Sequence, residues 1–311
     1  MTVYFGLVIA ILLLLSIVSW RFSGLVIQPE SRDIDTMLLD EEAKGNISIE
    51  YFEKIPKTDF SIKTDDGLNL SGQWLYPKKP TNKAVIICHG FGVNRVGSIK
   101  YITPYLNRGY HVIIYDNRNA GHSDKRYTTM GYAEKNDLKK ILDYVYDVMG
   151  PHCFAGTHGE SMGGATVLLH ACMDSRIKFV VADCSYADLR QQLEYRLKVE
   201  KHLPPFPLIN LTSLMTRLRA GFYFGDVSPK KEINKQNGLN SIPVMFAHGK
   251  EDKYILPDSS IKLFEIKKGY KQLYLAENAK HAESIWVDPD QYNRHVNRLL
   301  DAAESQMESN R

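Results

Sequence analysis

Hydrophobic and polar positions divide this chain into three unlike parts. Residues 3–20 read VYFGLVIAILLLLSIVSW, apolar on every face and uncharged. Built as a helix at ~1.5 Å per residue, this run would reach about 27 Å, close to the thickness of a bilayer's hydrocarbon core. Residues 23–48 follow as a polar connector of alternating charge, a spacer or a short helix. From residue 49 the pattern turns regular. Two alternating runs in FSIKTDDGLNLSGQWLYP flank Asp65, Asp66 and Gly67 and predict a hairpin. AVIIC, HVIIYD, HCFAGT, FVVADC, PVMFAHG and QLYLAE are apolar throughout, as strands covered on both faces must be. Helical periods separate them: one near residues 99–106, one with Leu138, Ile141, Leu142, Val145 and Val148, one with Ala165, Leu168, Leu169 and Cys172, and one in QYNRHVNRLLDAAE. The alternation predicts an α/β fold with a mostly parallel sheet and helices on both faces. One stretch, about 188–240, is too long for an ordinary loop and predicts a helical lid.

Composition narrows the classes. With 39 Lys and Arg against 36 Asp and Glu, the net charge of +3 is small and scattered, which excludes a nucleic-acid surface. There is no internal repeat or low-complexity tract. The four cysteines have no metal-ligand spacing, and a disulfide framework does not suit a domain of this size. The sequons at Asn46, Asn69 and Asn210 decide nothing. The N-terminal run lacks a basic segment before it and an A-x-A-like site after it, so an uncleaved anchor is expected rather than a signal peptide, with Trp20 and Arg21 at one interface. Arg21 and Arg32 lie on the exit side, so the positive-inside rule places the large domain in the cytoplasm. The small pair Gly6 and Ala10 is too weak a signal for helix pairing. The expected division is an anchor over 1–22, a connector over 23–48, and a catalytic-type domain over 49–311 carrying the lid.

Candidate chemistry centres on THGESMGG, where Gly159, Ser161 and Gly163 form G-x-S-x-G. A glycine-rich turn is the plain alternative, but an apolar strand leads in and an amphipathic helix leads out, as a nucleophile elbow requires. In a parallel sheet, residues just past the strands' C-terminal ends share one crevice. Asp252 follows PVMFAHG and His281 follows QLYLAE, giving the chain order Ser161, Asp252, His281. A serine hydroxyl needs a neutral imidazole to take its proton, and the imidazole needs a carboxylate to fix its tautomer. Glu251 and Asp183 are the alternatives for the acid and His248 for the base. An oxyanion requires donors. The N–H groups of Met162 and of Phe91, in the loop HGFGVN, are the candidates, with His89 ordering that loop. His158 is read as structural, and Glu160 as not touching substrate.

HGFG, YDNRNAGHS, GESMGG, HGKED and KHAES occur in this order, and from about residue 60 onward the chain resembles the α/β-hydrolase superfamily. Within it, the chain looks most like membrane-anchored bacterial serine hydrolases of the carboxylesterase or serine-aminopeptidase-like type. The resemblance implies the α/β-hydrolase fold, the triad above and no metal or organic cofactor. One departure is Asn119, where relatives carry glycine, which puts that turn's backbone in question. In the lid, Leu208, Leu211, Leu214, Met215 and Phe222 are candidate substrate contacts, although packing of the lid on the domain explains an apolar face equally well. No acidic pair there is placed to hold a peptide amino terminus. The expected partner is therefore a small ester or lipid-like substrate, with peptidase, acyltransferase and non-catalytic binding readings left open. Nothing in the sequence fixes the oligomeric state.

Overall fold

Eight strands build the sheet in the computed structural model, which describes residues 2–235 and 239–309. They are β1 (Lys57–Lys63), β2 (Asn69–Leu75), β3 (Lys83–Cys88), β4 (His111–Tyr115), β5 (Phe154–Glu160), β6 (Val180–Asp183), β7 (Val244–Gly249) and β8 (Lys271–Ala276). Their spatial order is β1-β2-β4-β3-β5-β6-β7-β8. β1 and β2 form the hairpin and join the sheet antiparallel; all later neighbours run parallel.

The central strands carry no polar face because both faces are covered. In β3, Val85 and Ile87 enter one core cluster and Ala84, Ile86 and Cys88 enter the other, so the strand's period of two feeds two cores at once. The first core lies under the C-terminal helix Pro289–Ser309, through Tyr292, Val296, Leu299 and Leu300. The second lies under the helices Glu134–Met149 and Met162–Ala171. A third cluster lies beyond the strand ends, where the lid, the turn at Met162 and the end of the N-terminal helix meet.

The lid occupies the predicted insertion between β6 and β7 and contains the helices Leu189–Lys201 and Leu208–Ala220. Asp188 caps the first by accepting from the Gln191 N–H.

The N-terminal region departs from the expected division. The first helix spans Thr2–Ile27, past the boundary expected at residue 22, and its last turns are not free. Ser19, Ser23 and Ile27 are fully buried, with Val18, Phe22 and Val26 packed beside them. They lie against the lid helix Leu208–Ala220, where Thr216 Oγ1 and Ser23 Oγ are 3.2 Å apart. Ser19 and Ser23, four residues apart on the N-terminal helix, and Thr212 and Thr216, four apart on the lid helix, are all buried; small side chains at this spacing let two helices approach closely. The connector is equally engaged. The helix Ile34–Ala43 buries Ile34 and Met37 in the first core.

Candidate active site

Ser161 sits at the end of β5 with φ 56° and ψ −115°, a conformation that non-glycine residues rarely adopt. Its N–H donates to the Asp183 carbonyl on β6 (2.8 Å), which fixes the turn to the neighbouring strand. The flanking glycines are sterically required. A Cβ on Gly159 would lie 2.1 Å from the Gly163 carbonyl oxygen, and one on Gly163 would lie 2.1 Å from that of Cys88. The helix Met162–Ala171 starts immediately, with Ser161 as the residue that caps its N-terminus.

β7 and β8 supply the other two groups from the loops that follow them. His281 Nε2 is 3.0 Å from Ser161 Oγ, and His281 Nδ1 donates to Asp252 Oδ2 at 2.7 Å. A carboxylate only accepts, so the proton belongs on Nδ1 and Nε2 presents its lone pair to the serine. Asp252 is fully enclosed. Its Oδ1 accepts from the Tyr254 and Ile255 N–H groups, and its Oδ2 also accepts from His248 Nε2 at 3.1 Å. Burial alone would raise the Asp252 pKa, but the hydrogen bonds and attraction of the two imidazoles outweigh it and hold the carboxyl well below the usual range.

The alternatives named from sequence lie elsewhere. Glu251 is exposed. Asp183 accepts from Ser284 Oγ (3.0 Å) and Tyr101 OH (3.1 Å), and its burial beside Glu160 raises its pKa. His248 is locked by Ser260, Asp252 and the Ile255 carbonyl. His158 lies between the hydroxyls of Tyr105 and Tyr292, at 3.1 Å from each, and burial lowers its pKa to about 3.

Sequence reasoning missed the polar layer beneath the elbow. Lys100, whose side chain is almost wholly buried, pairs with Glu160 and donates to the Ala282 carbonyl at 2.9 Å. One ammonium thus ties the residue before Ser161 to the residue after His281. Tyr101 OH donates to Glu160 Oε2 at 2.7 Å. Tyr254, whose ring lies tilted at 45° with its centre 4.8 Å from that of His281, was also missed. A basic residue in the three-ten turn after β3 gives no hint in sequence that it turns inward.

The loop after β3 is held by His89, whose Nε2 accepts from the Asn117 N–H (2.9 Å) while Nδ1 lies 2.8 Å from the Gly90 carbonyl. Among the described residues, neither the Phe91 nor the Met162 N–H donates to a backbone acceptor. Met162 and residues of this loop line a cavity of about 10 Å³, room for about one water, which Pro29 and Ser31 close from the far side. Asn119 adopts φ 66°, the left-handed conformation a glycine would take there, and asparagine tolerates it. The turn keeps its shape, and Gly121 N–H donates to Ser31 Oγ.

The five lid candidates separate. Leu208 and Phe222 are buried in the cluster that contains Met162, whereas Leu211 and Met215 are half-buried outside it. Leu214 is a correction: it is 40% exposed on the outer face, because the helix turns Leu208, Ile209, Thr212 and Thr216 inward. Ile209 and Phe224, which were not singled out, join the inner cluster instead.

A strand–elbow–helix serine, a carboxylate and a histidine on successive strand exits, all on a mostly parallel eight-stranded sheet, define the α/β-hydrolase class. Residues 83–208 match the family described as alpha/beta hydrolase fold. The chain is also 36% identical over 283 residues to an uncharacterised protein of Bacillus subtilis, YqkD, covering 90% of this chain and 91% of the relative. The chain belongs to the α/β-hydrolase family. It is 30% identical to the thiohydrolase AneE of Aspergillus aculeatus over 157 residues, 48% of this chain and 44% of that protein. Among solved structures, the Pyrococcus furiosus esterase Pf2001 superposes with a TM-score of 0.64 at 23% identity, over 82% of this chain and 96% of that one.

Proposed function

We propose that this protein is a membrane-anchored serine hydrolase that cleaves carboxylic esters through an acyl intermediate on Ser161. The observation that carries the reading is the continuous chain from Ser161 Oγ through His281 to Asp252. Ser161 Oγ attacks the ester carbonyl carbon as its proton passes to His281 Nε2. Asp252 holds the ring in register and balances the imidazolium. The negative oxygen is received by the N–H groups of Met162 and Phe91, which donate to no backbone acceptor among the described residues. The imidazolium then returns its proton to the leaving alkoxide. Water, deprotonated by the same nitrogen, releases the acid and restores Ser161.

Apolar side chains beside Met162, among them Met130, Leu208 and Phe222, support an apolar acyl or alcohol group. The likenesses to an esterase and a thiohydrolase are consistent with acyl transfer to water. The end of the N-terminal helix supports an uncleaved anchor, since removal as a signal peptide would strip Ser19, Ser23 and Ile27 from the lid. The positive-inside rule puts the domain in the cytoplasm; protease added outside intact cells would then leave it uncut.

Labelling with a fluorophosphonate tests the chemistry. Stoichiometric adduct on Ser161, lost in Ser161→Ala and His281→Ala, is expected. No adduct on folded protein would replace this reading with a non-catalytic binding role.

A further inference from the structure

We propose that the last turns of the lid helix Leu208–Ala220 and the segment after it form a docking surface for a bilayer leaflet bearing anionic headgroups. The inference rests on the reading that the N-terminal helix spans the membrane. The two helices run antiparallel: Ile209 and Thr212 meet Phe22 and Val26, Thr216 meets Ser23, and Arg219 reaches back to Trp20. Arg219 donates to the Trp20 carbonyl at 2.9 Å and stands 4.3 Å over its ring. Arg219 also donates to Gln28 Oε1 at 2.7 Å, so the C-terminal end of the lid helix is held alongside the turns from Trp20 to Gln28, which begin where the uncharged run gives way to Arg21 and the anchor leaves the hydrocarbon.

What the lid presents at that level suits a lipid interface. Leu218 is 70% exposed and Tyr223 is 44% exposed, and Ile17 and Trp20 of the anchor are exposed as well. Arg21 and Arg217 are exposed among them, and the helix Leu208–Ala220 contains no Asp or Glu. Apolar and aromatic side chains interleaved with arginine match a surface that sits at the headgroup boundary of an anionic leaflet, and the acid of the following segment, Asp226, turns its carboxylate back to accept from the Tyr223 N–H at 2.8 Å. The same segment alternates its faces: Tyr223 points out, while Phe222 and Phe224 enter the cluster beside Met162. The leaflet is thus one side chain away from the wall of the catalytic crevice.

The test uses the full chain in phosphatidylcholine–phosphatidylglycerol nanodiscs whose lipids carry a nitroxide near the headgroup end of the acyl chain. A fluorophore is placed singly at Leu218→Cys, Tyr223→Cys, Leu12→Cys or Val148→Cys, in a Cys172→Ala background; the other three cysteines are buried. Labels at 218 and 223 should lose most of their emission, as should the label at 12 within the span, while the label at 148, exposed on a distant helix, keeps it. Quenching at 12 with 218 and 223 behaving like 148 would overturn the docking surface and leave the anchor standing. No quenching at 12 would remove the anchor and the docking surface together.

Discussion

Asp252 serves two imidazoles with one oxygen, and that division makes it sensitive to a change of a single atom. In Asp252→Asn an amide NH2 competes for the place where a carboxylate oxygen accepts from His281 Nδ1–H, so the ring is driven to the wrong tautomer. Ester turnover should fall by about 10⁴ in kcat, with KM little changed. The carboxyl's depressed pKa works on stability as well: its contribution is complete above the ordinary Asp value and is lost as pH falls towards the folded value. The buried histidines act in the same direction. Desolvation lowers His158 to about 3 and His170 to about 4, so the unfolded chain takes up protons near pH 6.5 that the folded chain refuses. Each should remove up to ~1.4 kcal/mol of stability per pH unit between those limits. Melting temperature measured from pH 7 to pH 4 should fall, and less steeply in His158→Gln. Ser161, Asp252 and His281 were legible because a parallel sheet sends successive strand exits to one crevice. His248 was legible only as a strand-end residue, since its bond to Asp252 spans one turn that the sequence does not display.

At the level of elements, Lys100 binds the elbow to the His281 loop, and its charge is matched by Glu160 in a setting almost closed to water. Removing one partner of such a pair leaves a buried charge uncompensated, at a cost of about 3–5 kcal/mol, whereas removing both is far milder. Lys100→Met and Glu160→Gln should each destabilise strongly in chemical denaturation, and the double variant should recover much of the loss. Additive losses would mean that the two side chains do not interact as a pair. Turnover in the double variant should stay reduced, because the tie to the Ala282 carbonyl is gone. Strands and amphipathic helices were readable here from their periods of two and 3.6. The partner face of the N-terminal helix was not: a helix apolar on all sides has no stripe, and its lid-facing row is marked only by Ser19 and Ser23, two small residues inside an apolar run. The pair Gly6 and Ala10, too weak a signal in the sequence, lies on an exposed part of the helix. Leu214 was misassigned for a related reason. A lid helix with apolar residues on several faces does not reveal which face is inward until its neighbours are placed.

Across the whole molecule, the N-terminal helix and the α/β domain are one packing unit rather than a tether and its load. The third cluster joins Ile27, Leu208, Ile209, Phe222 and Phe224 to Met162, so the wall beside Ser161 depends on residues that belong to the N-terminal helix. A chain shortened to begin at Pro29 would lose Ile27, Ser23 and Ser19 and uncover the inward face of the lid. Burial of one isoleucine alone is worth about 1.5–3 kcal/mol, and with Phe22 and Val26 also gone the melting temperature should drop on the order of 10 °C. A chain begun at Leu15 keeps every lid contact and should melt close to the full-length protein in detergent, while no longer inserting in vesicles. Fluorophosphonate labelling should follow stability: slow or absent in the first shortened chain and unimpaired in the second. Equal melting and equal labelling of the two would show that the lid holds its place without the helix, and the unity of the N-terminal helix and the site at Ser161 would fail. The comparison also separates two parts of the same helix, because residues 4–14 are exposed while Ser19, Ser23 and Ile27 are buried against the lid and the crevice at Ser161.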